Sequence, residues 1–442
     1  MQSLHSTDPD RHSPAEQNLM QAQQHFEAGE LQDCLRSLIF GFSKDVNYLP
    51  LYQLAAECLG AMGAGEEQAL FQAACTNNSD PEVFNKLGEY YFAAEHYALA
   101  AVFFEKRIDL DSGNAEAIHN LAICYARQFQ VDKALELMET LRSCDFWDYY
   151  FLNKCKILNG RTEGVGETIH DLETVLNDHP DPSETLVPRM KLTELQEMLN
   201  RFNTVRSIPK HIREWHYIQY GSVILDYFDS NNDFVAGGRF VAATGSYESI
   251  RAVAGKLKLL IEALSVPVDA VASLEDRDSE ITGRLLSKIL AVPYCTYDPD
   301  ARSENTLIVA ADSSLFEPYD VLSTIHDGQL VFALNHNWLD NAMVNPDIIG
   351  FMSQAYRFPW NGGGLRLTDP DNWTFEETLP DNRDPAAVAE TIFHSETETE
   401  GFTDHLQFFL EHREYLKGIG RFSGPHRYNF MIESPVPGSY FC

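Results

Sequence analysis

Positive charge is the first thing this chain lacks: of 442 residues, 33 are Lys or Arg against 66 Asp or Glu, a formal net charge of −33. That balance repels phosphate backbones and anionic headgroups, and no basic cluster offsets it locally, so neither nucleic acid nor a membrane surface is expected as a partner. Long apolar runs are missing too, and nothing approaches the ~18 uninterrupted residues of a bilayer span. Residues 1–16 are polar and carry four charged side chains, unlike a signal or transit peptide, so a soluble cytoplasmic protein is expected. The eight cysteines, Cys34, Cys58, Cys75, Cys124, Cys144, Cys155, Cys295 and Cys442, include no Cys-x-x-Cys pair. This argues against zinc ribbons and thioredoxin-type chemistry and for reduced core packing. No Gly-x-Ser-x-Gly, Walker loop or Gly-x-Gly-x-x-Gly follows a strand signal, and Gly362-Gly363-Gly364 reads as a turn.

What is present suffices to build cores. Hydrophobic residues make up 44 % and aromatics 12 % of the chain, enough for two or three folded domains. The clearest pattern is an internal repeat. Pro81–Asn114 reads PEVFNKLGEYYFAAEHYALAAVFFEKRIDLDSGN, and the next unit begins AEAIHNLAICYARQFQVDKALELMETL. In the first unit Phe84, Leu87, Gly88, Tyr91, Ala100 and Phe104 recur at the offsets that Ile118, Leu121, Ala122, Tyr125, Ala134 and Met138 occupy in the second. Each unit is two amphipathic helices, with the small residues where the helices come closest. Weaker copies run over 15–45, 49–77 and 146–176, and a helix from about Ser183 to Asn200 reads as a polar-faced cap.

These two units resemble tetratricopeptide repeats, and with the weaker copies the resemblance covers residues 15–205. Arg107 and Leu141 depart from the small residue the motif carries late in each repeat, and Ser112 from its closing Pro, so an irregular superhelix is expected. The resemblance implies a groove, lined by the first helix of each pair, that takes a protein or peptide partner. Its positions carry over to Glu82, Asn85, Glu89 and Phe92, to Glu116, His119, Asn120, Ile123 and Arg127, and to Trp147, Tyr150 and Lys154. Glu89 and Ile123 stand where capture of a C-terminal carboxylate would need polar or basic groups, which disfavours that mode. The acidic balance favours a basic partner. The same surface could instead pack on the second half of the chain.

From about His211 strand and helix signals alternate, which implies an α/β domain with a mostly parallel sheet. Strands are predicted at 217–227, 239–243, 270–273, 293–297, 306–311 and 329–334, and helices at 247–264, 279–290, 340–356 and 404–417. Ligands of such sheets lie beyond the carboxyl ends of the strands. There the loops carry Thr244 and Ser246, then Glu275, Asp276 and Asp278, then Asp298 and Asp300, then Asp312 and Ser313, a candidate ligand rim. The run from Val266 to Tyr297, with Leu307–Ser314, is weakly similar to a phosphoribosyltransferase-type domain. That family carries two acids and then a Thr-Gly or Ser-Gly phosphate cradle; here a single acid, Asp312, precedes Ser313-Ser314. Asp298-Pro299-Asp300 could also be the metal-binding pair of a glycosyltransferase, although Asp-x-Asp recurs at Asp276 and Asp369. His326, Asp327, His336 and His426 lack any metal-site spacing, so no metal ligands and no catalytic residues are assigned.

The expected organisation is therefore a disordered stretch over 1–14, a helical repeat array over 15–205, an α/β domain over 211–357 and an aromatic, turn-rich extension over 358–442 that packs on it. The leading reading is an interaction scaffold without cofactor and without evident catalysis. The alternative is a metal-dependent transferase, using Mg²⁺ or Mn²⁺, that acts on a nucleotide sugar or phosphoribosyl substrate.

Overall fold

A computed structural model describes residues 13–128, 130–141, 145–205, 212–227, 242–301, 304–324, 328–337, 344–353, 355–369, 373–396, 404–411 and Arg427. Most of the stretch expected to be disordered lies outside them. The chain forms two compact units, Met1–Asp148 and Tyr149–Cys442.

The first unit is built from antiparallel helix pairs: α1 (Glu16–Glu27) with α2 (Leu31–Lys44), α3 (Leu49–Met62) with α4 (Gly65–Thr76), α5 (Pro81–Ala93) with α6 (Tyr97–Leu110), and α7 (Ala115–Arg127) with α8 (Val131–Met138). The turns inside the first three pairs pass through a left-handed residue, Gly29, Gly63 and Glu95 in succession. Helix starts are marked by side-chain caps: Asp80 accepts from the Glu82 amide at 3.0 Å ahead of Pro81, and Asn114 from Ala117 at 2.7 Å. Both caps satisfy amides that lack an intrahelical partner.

Close approach explains the small residues. A Cβ on Gly88 would stand 2.6 Å from the Phe104 ring across the α5–α6 interface, and Ala100 and Ala134 are fully buried. Large rings fill the rest, with Phe42, Tyr52, Phe71, Tyr91 and Phe103 forming a continuous seam at centroid spacings of 4.7–6.3 Å. Edge-to-face contacts recur along it, the preferred geometry for aromatic pairs. Arg107, in place of the motif's small residue, folds back on its own helix end. Its guanidinium donates to the Asp111 carbonyl at 2.9 Å and carboxylate at 3.1 Å.

The second unit opens with four helices, α9 (Phe146–Leu158, which starts in the last residues of the first unit), α10 (Val165–Asn177), α11 (Leu186–Val205) and α12 (Ile212–Tyr220). Helix α11 packs on α10 and α12, and α12 on the first strand, so the final predicted repeat and its cap gather with the sheet. The strands are β1 (Val223–Tyr227), β2 (Ala242–Thr244), β3 (Ala270–Ser273), β4 (Tyr294–Thr296), β5 (Thr306–Asp312), β6 (Gln329–His336), β7 (Ile348–Met352), β8 (Ala355–Arg357), β9 (Leu365–Asp369) and β10 (Thr374–Glu377). Six of them form one sheet in the order β1-β7-β6-β5-β3-β4, parallel at every pairing. Two-stranded sheets pair β2 with β8 and β9 with β10.

Four further helices are described in the unit: α13 (Tyr247–Leu264), α14 (Arg277–Leu290), α15 (Pro385–Phe393) and α16 (Asp404–Glu411). They pack on the face lined by Leu307, Val309, Leu330 and Phe332, while Phe316 and Leu322 cover the face lined by Ile308, Ala310, Val331 and Ala333. Central strands covered on both faces read as unbroken apolar runs. Among the described residues no helix is long and apolar enough to cross a membrane.

Several predicted elements are corrected. The expected strand from Tyr217 is helix as far as Tyr220, and the strand begins at Val223, after Gly221 turns with φ +79°. The helix expected over 340–356 is β7 and β8 where described. Ile348–Met352 is buried at every residue, so its pattern carries neither period. Residues 239–241, 340–343 and 412–417 lie outside the described residues. The extension also holds α15, opened by Asp384 as cap and Pro385 at the first position, a start signal visible in the sequence. Val388, Ile392, Leu406, Phe409 and Trp360 join the sheet's main core.

At the amino edge of the sheet a buried ion pair joins distant segments. Arg427 donates from Nε to Asp347 at 2.9 Å and from its other nitrogens to the carbonyls of Leu322, Thr324 and Gln329 at 3.0–3.1 Å. The second carboxylate oxygen of Asp347 accepts the Val331 amide at 2.8 Å.

Two stability tests follow from these contacts. Ala100→Leu and Ala134→Leu each overpack a helix interface and should lower the unfolding free energy by about 1–3 kcal/mol in chemical denaturation; unchanged transitions in both would place the interfaces elsewhere. Arg427→Met strands a buried carboxylate and should cost about 3–5 kcal/mol. Adding Asp347→Asn should recover part of that loss, and strictly additive costs would mean the two residues are not coupled.

Candidate functional site

In the six-stranded sheet the chain moves outward from β3 to β4, then returns inward through β5, β6 and β7. Right-handed crossovers therefore leave β3 and β5 toward opposite faces, α14 on one and the short turn carrying Phe316 on the other. This is confirmed by the separate cores the two segments join. The crevice between β3 and β5, at their carboxyl ends, is where a sheet of this kind holds a ligand. The predicted acidic loops do leave this edge, after β3, β4 and β5.

What fills the crevice is the protein itself. Asp276 caps α14, accepting the Ser279 amide at 2.8 Å, and Ser279 Oγ accepts the Ala311 amide of β5 at 2.8 Å. Asp278 takes the Trp360 indole N–H at 2.6 Å and the Asn361 side-chain amide at 2.9 Å. Asp312 accepts from the Ser314 amide at 3.0 Å and hydroxyl at 2.7 Å, and its other oxygen accepts from Asn335 at 2.7 Å. The backbone amide that a phosphate would need after β5 thus already holds a carboxylate. Asp298 closes a small turn on the Asp300 amide at 2.9 Å, both acids being exposed, and Glu275 is exposed as well. Nowhere do three of these rim acids bring ligand oxygens within 4.8 Å of one another.

Thr244 and Ser246 come from a different strand than the rim acids. They follow β2, which pairs with β8 outside the main sheet, and Ser246 exchanges capping hydrogen bonds with Ser249 at the start of α13. Nearby, Asp381 accepts from Tyr247 Oη at 2.9 Å and from Arg383, whose guanidinium holds this carboxyl well below the usual carboxylate range.

Beneath the rim lies a polar cluster that sequence reasoning missed as a unit. Ser313 Oγ and His336 Nδ1 are 2.8 Å apart, Ser353 donates to Asn335 at 2.7 Å, and the rings of His336 and His216 stand 5.4 Å apart. Strand register could have found part of it, because Asn335 lies opposite Asp312. Burial drives the imidazole of His336 down to about 4, against the opposing pull of Asp312, and it lowers His216 as well. Ser313 and His336 are both buried. Of the metal ligands considered with His336, residues His326, Asp327 and His426 lie outside the described residues.

The predicted groove divides between the units. In the first, Glu82, Glu89 and Glu116 are exposed, while Asn85, Phe92, His119, Asn120, Ile123 and Arg127 are half-buried. Asn85 donates to Glu89 at 2.7 Å, His119 bonds Asp148, Arg127 stacks 5.2 Å over the Tyr97 ring, and Trp147 is 43 % exposed. In the second, Tyr150 and Lys154 are buried, Lys154 to 2 %. Both are engaged by Glu194, which accepts from Tyr150 Oη at 2.7 Å and faces Lys154 at 3.6 Å and Lys191 at 2.7 Å. Burial pushes the Glu194 carboxyl up, but the two ammonium groups outweigh it and hold it below its ordinary value. These two side chains are unavailable to an incoming peptide.

No protein-family model matches the chain, and no curated protein matches it. Among solved structures, a segment covering 39 % of this chain aligns with 97 % of the chain titled MamA AMB-1, at 14 % identity and a TM-score of 0.25. A segment covering 38 % aligns with 89 % of YrrB, described as a TPR protein with an unusual peptide-binding site, at 17 % identity and a TM-score of 0.23. The helix-pair architecture stands on the packing of α1 to α8.

A pH test isolates the buried histidine. With its folded value depressed to about 4 from an unfolded value near 6.5, His336 lets the unfolded chain bind the extra proton between those limits. Stability is then full above about pH 6.5 and falls as pH drops toward 4, by at most about 3 kcal/mol. His336→Asn, which can keep the bond to Ser313, should flatten the slope of unfolding free energy between pH 7 and 5. Equal slopes in both proteins would remove His336 as the cause.

Proposed function

We propose that this protein is an interaction scaffold whose first unit takes a basic peptide segment across α5 and α7. The observation that supports it most is the surface shared by these neighbouring helices. By helical spacing Glu82, Asn85, Glu89 and Phe92 fall on one face of α5, and Glu116, Asn120, Ile123 and Arg127 on one face of α7. Their three exposed carboxylates surround half-buried amide and apolar groups, a rim-and-centre pattern suited to an extended or helical segment bearing Lys or Arg. In a chain with twice as many acids as bases, electrostatic steering reinforces that preference.

The α/β domain contributes no separate activity to this reading. Its carboxyl edge engages the described crevice groups internally, and a transferase would need those same carboxylates and amides open to metal and phosphate.

Selection from a random peptide library on the full chain should enrich Lys- and Arg-containing sequences. Glu82→Lys combined with Glu89→Lys should weaken a selected peptide at least about ten-fold, equivalent to ~1.4 kcal/mol, and added salt should weaken the wild-type complex. Peptides that bind both proteins equally, or a library that returns no binder, would overturn the assignment.

A further inference from the structure

The turn between α1 and α2 carries a donor set with no role in the interaction surface. His25 lies in the last turn of α1, Glu30 is the N-cap residue of α2, and Asp33 lies in its first turn. Gly29, at φ +78°, reverses the chain between them. One ligand atom from each of the three residues falls within 4.8 Å of the other two, and His25 Nδ1 is 2.7 Å from Glu30 Oε2. Among the described residues this is the group of three or more His, Cys, Asp or Glu side chains that converges so closely.

Helix capping does not account for the arrangement. Acids at the first turn of a helix ordinarily accept its unpaired amides, yet the Glu30 side chain makes no capping bond to α2 and turns to His25 instead. Asp33 is held by Arg36 at 2.5 Å, an exposed i,i+3 pair of the kind that contributes little to stability.

We propose that His25, Glu30 and Asp33 form an open surface site for a divalent transition-metal ion of the zinc class. Imidazole nitrogen and carboxylate oxygen are both zinc ligands, bound at about 2.0–2.2 Å, and the imidazole favours this class over Mg²⁺ or Ca²⁺, which take oxygen ligands. Donors around such an ion stand roughly 3–4 Å apart, so small rotamer changes in exposed side chains complete the contraction. Solvent fills the remaining position. Two carboxylates make the site anionic, and the negative end of α1 adds to that field at His25. The ion would tie the end of α1 to the start of α2, so binding should stabilise the first helix pair.

The test uses the full chain, stripped of metal and kept reduced, titrated with Zn²⁺ by calorimetry and with Co²⁺ by visible absorption. The strongest site should bind one ion, and His25→Ala and Glu30→Gln should each weaken it at least about ten-fold. Arg36→Ala, which frees Asp33, should retain or tighten binding. His179→Ala, at the exposed His179–Glu184 pair, should leave it unchanged. Lowering the pH should weaken it, because the imidazole must be unprotonated to ligate. A strongest site with the same affinity and stoichiometry in His25→Ala and Glu30→Gln, or no binding up to millimolar Zn²⁺, would overturn the proposal. Both substitutions fall on accessible side chains; if either variant fails to fold, the other still decides.

Discussion

Backbone and polar groups at the two ends of β5, β6 and β7 are buried beyond the reach of water, and every one left unpaired would cost more than a typical hydrogen bond gains. Much of the polar chemistry in the second unit answers that constraint. At the amino edge Asp347 accepts the Val331 amide and Arg427, while Ser222 donates to the Pro346 carbonyl at 2.7 Å. At the carboxyl edge Ser279, Asp312, Asn335, Ser353 and His336 form the matching layer. A set of acids, serines and histidines at a strand terminus has the composition of an active site, and here it is largely the seal of a sheet.

That seal also explains how the C-terminal segment belongs to the fold. Trp360 closes over Asp278, the Asp381 turn reaches Tyr247, and Arg277 donates to the Asp381 and Arg383 carbonyls at 2.5 and 3.0 Å. The starts of α13 and α14 are thereby bound by the protein's own groups, and the helix-dipole field that would attract an anion acts on internal carboxylates.

The helical unit solves a different problem with fewer polar devices. Its pairs are held by apolar rings and by small residues where backbones approach, with Gly88 against Phe104 as the tightest example described above. Substitution of the motif's late small residue by Arg107 is tolerated because the long side chain buries its stem and satisfies its own helix terminus. Acidic side chains are left exposed on α5 and α7, where carboxylates are cheaply solvated.

The sequence alone determined the repeat, because helical pairs are local: residues three, four and about thirty-four apart impose the spacing of small and large side chains whatever lies elsewhere. It also announced a parallel α/β sheet, through the alternation of β-branched runs with amphipathic helices from Tyr247 and Ser279. It did not distinguish strand from helix over Ile348–Met352, since burial on both faces erases the period that separates them. Nor did it reveal that Tyr150 and Lys154 would be buried against Glu194, or that Asp276, Asp278 and Asp312 would be engaged by Ser279, Trp360 and Asn335. Apart from the local Asp276–Ser279 cap, those outcomes depend on partners 23 to 82 residues away, brought together by strand order and helix packing. Whether a carboxylate faces water, a cation or an internal donor is decided by that three-dimensional neighbourhood, to which composition and spacing along the chain give no access.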